Sequence, residues 1–379
     1  MSDTKTKVMK IDQSITSQRL YSLDTLRGFD MFWIMGLGYI ISDYSATRDS
    51  GFWHLVHEQF VHKIWDGFAF WDLIFPLFMF MAGVSVPYSI GRDIEKGKTR
   101  KELLFKIIRR GIILILLGII YNNKLQIRPI ADIRFPSVLG KIGATYMLAC
   151  IIYLYANRTA QWVWFWSLLI GYWLLLKFTS APGFPMGDLS EPGNFMSYVD
   201  RSVLPGKLSR GIHDTVGLLC TITGICNVLL GIFAGLFLKS NKTTPHNKAK
   251  WIAAAGVISI LLSVLWNFDF PYNKNLWSSS FVLLTGGLSL LLLSLFYFII
   301  DVQGYRRWTL FFRVIGMNSI FIYVSPVFIN WNYTSTALFK WLAQLAGEPG
   351  GQFIIAFGAL FVQWICLYFM YRKKIFIRI

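Results

Sequence analysis

The chain has 379 residues, of which 55% are hydrophobic, 17% aromatic and only 15% charged, with a formal net charge of +17. That balance excludes an ordinary soluble domain, in which about a quarter of residues are charged, and it indicates an all-α, polytopic integral membrane protein with lipid as its surroundings. No Lys/Arg stripe carries interleaved aromatics, so no nucleic-acid partner is expected. Cys150, Cys220, Cys226 and Cys366 lie in apolar runs at no metal-ligand spacing.

Residues 1–20 read as a polar cytoplasmic tail without the apolar core of a cleaved signal peptide, and 21–379 as a single transmembrane domain. Ten apolar segments of spanning length are expected, at about 28–44, 68–90, 107–121, 136–155, 161–178, 214–238, 251–268, 277–300, 309–330 and 352–371. With the N-terminus inside, 25 of the 37 Lys and Arg sort to the cytoplasmic side, which places both termini there. Outer loops fall at about 45–67, 122–135 and 179–213, the last rich in Pro and Gly and read as an ordered wall. No internal repeat supports an inverted-repeat transporter.

The first span opens on RLYSLDTLRGF, with Asp24 and Arg27 one turn apart as an interfacial ion pair and Asp30 a turn deeper. A charge at helix centre costs about 2.5–3.5 kcal/mol, so Asp30 is expected to face protein or water. The following outer loop holds His54, His57 and His62. Their H-E-x-x-x-H spacing does not put two histidines on one helical face, so no metal is expected. His54 and His57 read as solvated.

His62 has two readings, a solvated loop residue or a general base. A continuous helix would separate it from Asp72 by about 15 Å of rise. A break at Trp65-Asp66-Gly67 folds the loop back and lets the carboxylate orient the imidazole. Asp72 begins the second span, where Pro76 and Pro87 remove helical hydrogen bonds; such a broken, charged segment belongs against a cavity or inside protein. Lys106, Arg109 and Arg110 share one face at the start of the third span, either as ordinary positive-inside charge or as a phosphate clamp. On the outer side, Arg134, Asn275 with Trp277, and Asn318 have the residue types of a sugar site, or serve as caps and interfacial aromatics.

With these motifs located, the sequence resembles the heparan-α-glucosaminide N-acetyltransferase family. The likeness runs from Arg19 to the C-terminus. It rests on RLYSLDTLRG, HKIWDGFAFWDLIFP from His62, RFPSVLGKIGATY from Arg134, YVDR from Tyr198, NKNLWSSSFV from Asn273, GMNSIFIYV from Gly316 and YRKKIF near the end. The resemblance implies a multi-pass enzyme that passes acetyl from cytosolic acetyl-CoA to an amino sugar across the membrane, with His62 catalytic and Asp72 beside it. It further implies a membrane core without the lumenal N-terminal domain, as in bacterial inner-membrane relatives, and a homodimer. The chain departs from the family at Gly38, Val216 and Pro326, and adds Asp30.

The coenzyme's phosphates are then expected on Lys106, Arg109, Arg110 and Arg27, with its pantetheine arm passing Gly83 and Ser85. The sugar is expected on Arg134, Asn275, Asn318 and Trp277. The alternative is an amino-sugar or glycan carrier that uses Asp30 and Asp72 for proton coupling.

Overall fold

The computed structural model describes residues 20–48, 50–126 and 128–377; the tail expected over 1–20 lies outside them except for Leu20. Among the described residues every regular element is helical, and the β-type pairings are two isolated bridges, Asp66 with Asn273 and Arg134 with Gly206.

The first expected span is a composite. Helix α1 (Tyr21–Phe32) passes through a π-turn at Trp33–Leu37 into α2 (Gly38–Ala46), and Gly36 kinks the run at φ +148°. The outer loop that follows is largely ordered as α3 (Gly51–Gln59). A 3₁₀ turn at Phe70–Asp72 then leads into α4 (Ile74–Glu95). The second span was expected to be broken, but α4 is continuous through Pro87, and Pro76 sits in its first turn, where helical N–H groups have no intrahelical partner to lose.

Helix α5 (Arg100–Asn123) starts on a capping box: the Thr99 hydroxyl accepts from the Glu102 N–H at 3.3 Å and the Glu102 carboxylate accepts from the Thr99 N–H at 3.0 Å. Ser137 caps α6 (Val138–Tyr155) and Asn157 caps α7 (Arg158–Phe178). The expected outer wall contains α8 (Phe195–Val203). The chain continues through α9 (Cys220–Lys239), α10 (Pro245–Asn267) and α11 (Ser279–Tyr297). Helices α12 (Thr309–Met317) and α13 (Ser319–Val324) meet at Asn318 with a 70° bend. Helices α14 (Trp331–Ala346) and α15 (Gly350–Arg372) close the fold.

Seven of the described helices are long and apolar enough to cross a membrane: those over Phe70–Glu95, Val138–Tyr155, Arg158–Phe178, Cys220–Lys239, Pro245–Asn267, Ser279–Val302 and Gly350–Arg372. The bent pair makes eight if it counts as one span. The other two of the ten expected spans coincide with the kinked α1–α2 run and with α5, which opens on the charged stretch RKELLFKIIRR.

Helix α4 is central. It meets α9 backbone to backbone: a Cβ on Gly83 would lie 2.1 Å from the Val228 carbonyl oxygen, and one on Gly231 would lie 2.0 Å from that of Phe80. Small residues are what allow such close approach between membrane helices. Gly83 therefore serves this seam, and not the expected passage for a pantetheine arm.

Candidate functional site

The loop after α3 folds back at Gly67, which takes φ +114°, and is stitched to the loop between α10 and α11. Gly67 N–H donates to the Tyr272 carbonyl at 2.7 Å, the Asn273 amide donates to the Asp66 carboxylate at 3.1 Å, and the Asn275 amide donates to the Ile64 carbonyl at 3.1 Å. This pairing brings His62 onto Asp72, with Nδ1 2.7 Å from Oδ1. Asp72 is 1% exposed, and its second oxygen accepts from the Ala69 N–H at 3.1 Å. The carboxylate is thus held by the turn that starts α4, and the imidazole, 47% exposed, is held by the carboxylate.

Lys274 completes the cluster. Its Nζ lies 3.1 Å from Asp72 Oδ1, and 3.0 and 3.3 Å from Nδ1 and Nε2 of His62. Withdrawal of the imidazole from water pushes its pKa below the usual value; the Asp72 hydrogen bond opposes this, and the Lys274 charge adds to it. Burial likewise depresses the Lys274 ammonium, while Asp72 works in the other direction.

The cluster stands at the mouth of a cavity of about 260 Å³. Trp71, Ile74, Phe75 and Phe78 of α4 and its preceding turn form one wall, and Met31, Ile34, Ile142 and Ile320 add further apolar lining. Lys63, Arg210, Thr215, Asn275, Tyr39 and Tyr323 add the polar groups. A long apolar chain with a polar end suits such a lining. Gly38 is part of the construction, because a Cβ there would lie 1.9 Å from the Trp71 ring. Val216 faces the same cavity, so two of the departures from the family pattern meet here.

Arg134 is taken up by an ion pair beside the cavity. Its Nε and Nη2 donate to the two oxygens of buried Asp214 at 2.9 and 2.8 Å. Asp214 also accepts from the Ser209 and Val216 N–H groups, while Asp200 accepts from those of Asp214 and Leu218. Arg134 therefore fixes the 209–218 segment that carries Arg210, Thr215 and Val216. Burial pushes Asp200 up to about 6.

Other expected site residues fall elsewhere. Trp277 is fully buried, donates to Asn227 Oδ1 at 2.9 Å and carries the Lys141 ammonium 3.5 Å from its ring centre. It is a core residue, packed among buried hydrophobic side chains. Asn318 is clasped by the C-terminal segment, donating to the Ile375 carbonyl and accepting from the Ile377 N–H, both at 3.0 Å.

On the side of the basic loops, Lys106 is bound to Asp93 at 2.6 Å, and Arg110 donates to the Tyr146 hydroxyl at 3.2 Å, so exposed Arg109 is the clamp residue with the fewest ties of the three. Arg27 donates to the Ser85 hydroxyl at 2.8 Å. Ser85 belongs to a stripe of partly accessible residues along otherwise buried α4: Phe75, Phe78, Ala82, Ser85, Ser89 and Arg92. Their three- and four-residue spacing is one helical face, leading away from the cavity.

Sequence reasoning missed Lys274, Arg210 and Trp71. Among the described residues no group of three His, Cys, Asp or Glu is placed to hold a metal ion.

No family model matches the chain. It is similar to the heparan-alpha-glucosaminide N-acetyltransferase of Mus musculus, 29% identical over a 420-residue alignment covering 96% of this chain and 61% of that protein. The Homo sapiens protein of the same name is 30% identical over 419 residues, covering 95% and 60%. The chain thus spans about three-fifths of the length of these curated relatives.

Proposed function

We infer that this chain, a member of the heparan-alpha-glucosaminide N-acetyltransferase family, is a membrane-embedded N-acetyltransferase that takes acetyl from cytosolic acetyl-CoA and gives it to the amino group of a glucosamine-type sugar on the outer side. The observation that carries this reading is the His62–Asp72 pair at the mouth of an apolar cavity. The accessible stripe of α4 suits a route for the pantetheine arm, with Ser85 and Arg27 along it and Arg109 at the basic end. In the same reading the chain crosses the membrane ten times with both termini cytoplasmic, works as a homodimer, and lies in a bacterial inner membrane.

The chemistry follows from one hydrogen bond. Nδ1–H donates to Asp72, so the lone pair is on Nε2. As the sugar amine attacks the thioester carbonyl, Nε2 takes its proton; when the C–S bond breaks, the thiolate leaves with the electron pair and regains a proton from His62. Such general-base help contributes about 10²–10⁴-fold. The amide product and free CoA balance the reaction.

The test is a proteoliposome with labelled acetyl-CoA on the cytoplasmic side and glucosamine on the other. Labelled N-acetylglucosamine is expected from the wild type, and at a rate lower by about 10²–10⁴-fold from His62→Ala, with coenzyme binding retained; near wild-type turnover by the variant would refute the assignment. One observation favours a carrier instead: Asp30 is fully buried with neither carboxyl oxygen hydrogen-bonded. Movement of unmodified sugar across the bilayer, without acetylation, would select that reading.

A further inference from the structure

Lys274 is not accounted for by a base and its orienting carboxylate. Its ammonium approaches both ring nitrogens of His62 and the shared oxygen of Asp72. A nitrogen that already donates to Asp72 cannot also accept, so the 3.0 Å approach to Nδ1 is proximity only. The two acceptors open to the ammonium are Asp72 Oδ1 at 3.1 Å and Nε2 at 3.3 Å. Nε2 is the atom that must receive the substrate's proton. Lys274 therefore sits where the reacting groups have to meet, on the cavity wall, and is delivered there by a loop whose flanking asparagines are both spent on holding it in place.

We propose that Lys274 is a catalytic residue of the acetyl transfer, donating to the thioester carbonyl oxygen as negative charge builds on it. The inference rests on the acetyltransferase reading and deepens it. In the step, the amine lone pair forms the N–C bond and the carbonyl π pair moves onto oxygen, where the ammonium meets it. The amine proton goes to Nε2. The oxygen pair then re-forms the carbonyl, and the C–S pair leaves with the thiolate, which takes the proton back from His62. Lys274 neither gains nor loses a proton overall. Before substrate arrives it shields Nε2; the carbonyl oxygen replaces Nε2 as its acceptor and frees the base. Burial lowers the Lys274 pKa, and the Asp72 carboxylate 3.1 Å from Nζ works against that lowering.

The purely structural alternative is that Lys274 only neutralises Asp72. The two differ in turnover: a lysine that only neutralises Asp72 can be lost with the imidazole titration shifted and kcat on the pH plateau largely kept, whereas a carbonyl donor cannot. The charged and titratable groups facing His62 are Asp72 from the turn before α4, Lys274 from the α10–α11 loop and Arg210 from the outer wall, with Lys63, Tyr39 and Tyr323 on the cavity rim. Loss of the Lys274 cation moves the imidazole pKa up, because a neighbouring positive charge disfavours protonation.

The experiment compares wild type, Lys274→Met and Lys274→Arg in proteoliposomes, measuring kcat/KM for acetyl transfer to glucosamine across pH 5–9 and acetyl-CoA affinity by calorimetry. Lys274→Met is expected to lose about 10²–10³-fold in kcat, to bind acetyl-CoA within about threefold of wild type, and to shift the acid limb of its pH profile upward. Lys274→Arg is expected to restore the acid limb and part of kcat. Loss of rate with an unmoved limb, or turnover by Lys274→Met within threefold of wild type, overturns the proposal while leaving the acetyltransferase reading intact. Absence of transfer by the wild type itself overturns both.

Discussion

Replacement of Asp72 by Asn tests the core of the site, because the structure leaves an amide no good orientation. Asp72 Oδ1 accepts from His62 and Lys274, and Oδ2 accepts from the Ala69 N–H at 3.1 Å. If the amide oxygen faces His62, its NH₂ meets the Ala69 N–H, donor against donor. If the NH₂ faces His62, the imidazole must accept at Nδ1, and its proton moves to Nε2, where the base is needed. A hydrogen bond to a charged group contributes about 1.5–3 kcal/mol, and 1.36 kcal/mol is a factor of ten in rate, so kcat/KM should fall by about 10- to 150-fold. Loss of the charge that raises His62 should also move the acid limb of the pH profile downward. The assay is transfer of labelled acetyl to glucosamine, with acetyl-CoA affinity measured in parallel and expected unchanged. In a His62→Ala background the same substitution should cost nothing further, since both residues act as one unit. An equal loss with and without His62 would refute the reasoning, because Asp72 would then act independently of the imidazole.

His62 has its pKa lowered by burial, so its neutral, proton-accepting form should persist below the ordinary imidazole value of 6.5. A kcat/KM profile should therefore stay level through neutral pH and fall only on the acid side of 6.5; an acid limb centred above it would contradict the burial argument. Arg134→Lys replaces a two-point bond to buried Asp214 with one, loosens the 209–218 wall, and should raise KM for the sugar several-fold while leaving acetyl-CoA affinity unchanged. Gly83→Ala forces a Cβ to within 2.1 Å of the Val228 carbonyl and should destabilise the protein by at least about 1–3 kcal/mol, read as a lower melting temperature in detergent.

The helical, multi-pass character was legible because membrane spans are long apolar runs, and seven of them reappear at nearly the expected positions. The His62–Asp72 contact was legible because Trp65-Asp66-Gly67 marks a turn between them. Two failures share a cause. Trp277 and Gly83 were assigned to ligands because aromatic rings and small residues suit sugars and close passages, yet helix seams and cores need the same residue types, and only tertiary contacts separate the uses. Arg134 and Asn318 failed differently: their partners, Asp214 and Ile375, are 80 and 57 residues away, beyond any local pattern. Lys274 was overlooked because its neighbour Asn275 drew the functional reading of this segment.

The three reactive side chains come from three separate elements: a loop, a 3₁₀ turn and a second loop more than two hundred residues on. Only Asp72 is anchored by helix, through the turn that starts α4. In the proposed mechanism the position of His62 therefore depends on the Asp66–Asn273 and Ile64–Asn275 hydrogen bonds that join the two loops. Proton transfer requires heavy atoms within about 2.6–3.2 Å, so a shift of one loop against the other by a fraction of an ångström suffices to separate base from amine. If the proposed mechanism holds, these loops are part of its geometry, and the buried Asn273, 0% exposed, ranks with the cavity residues in holding it.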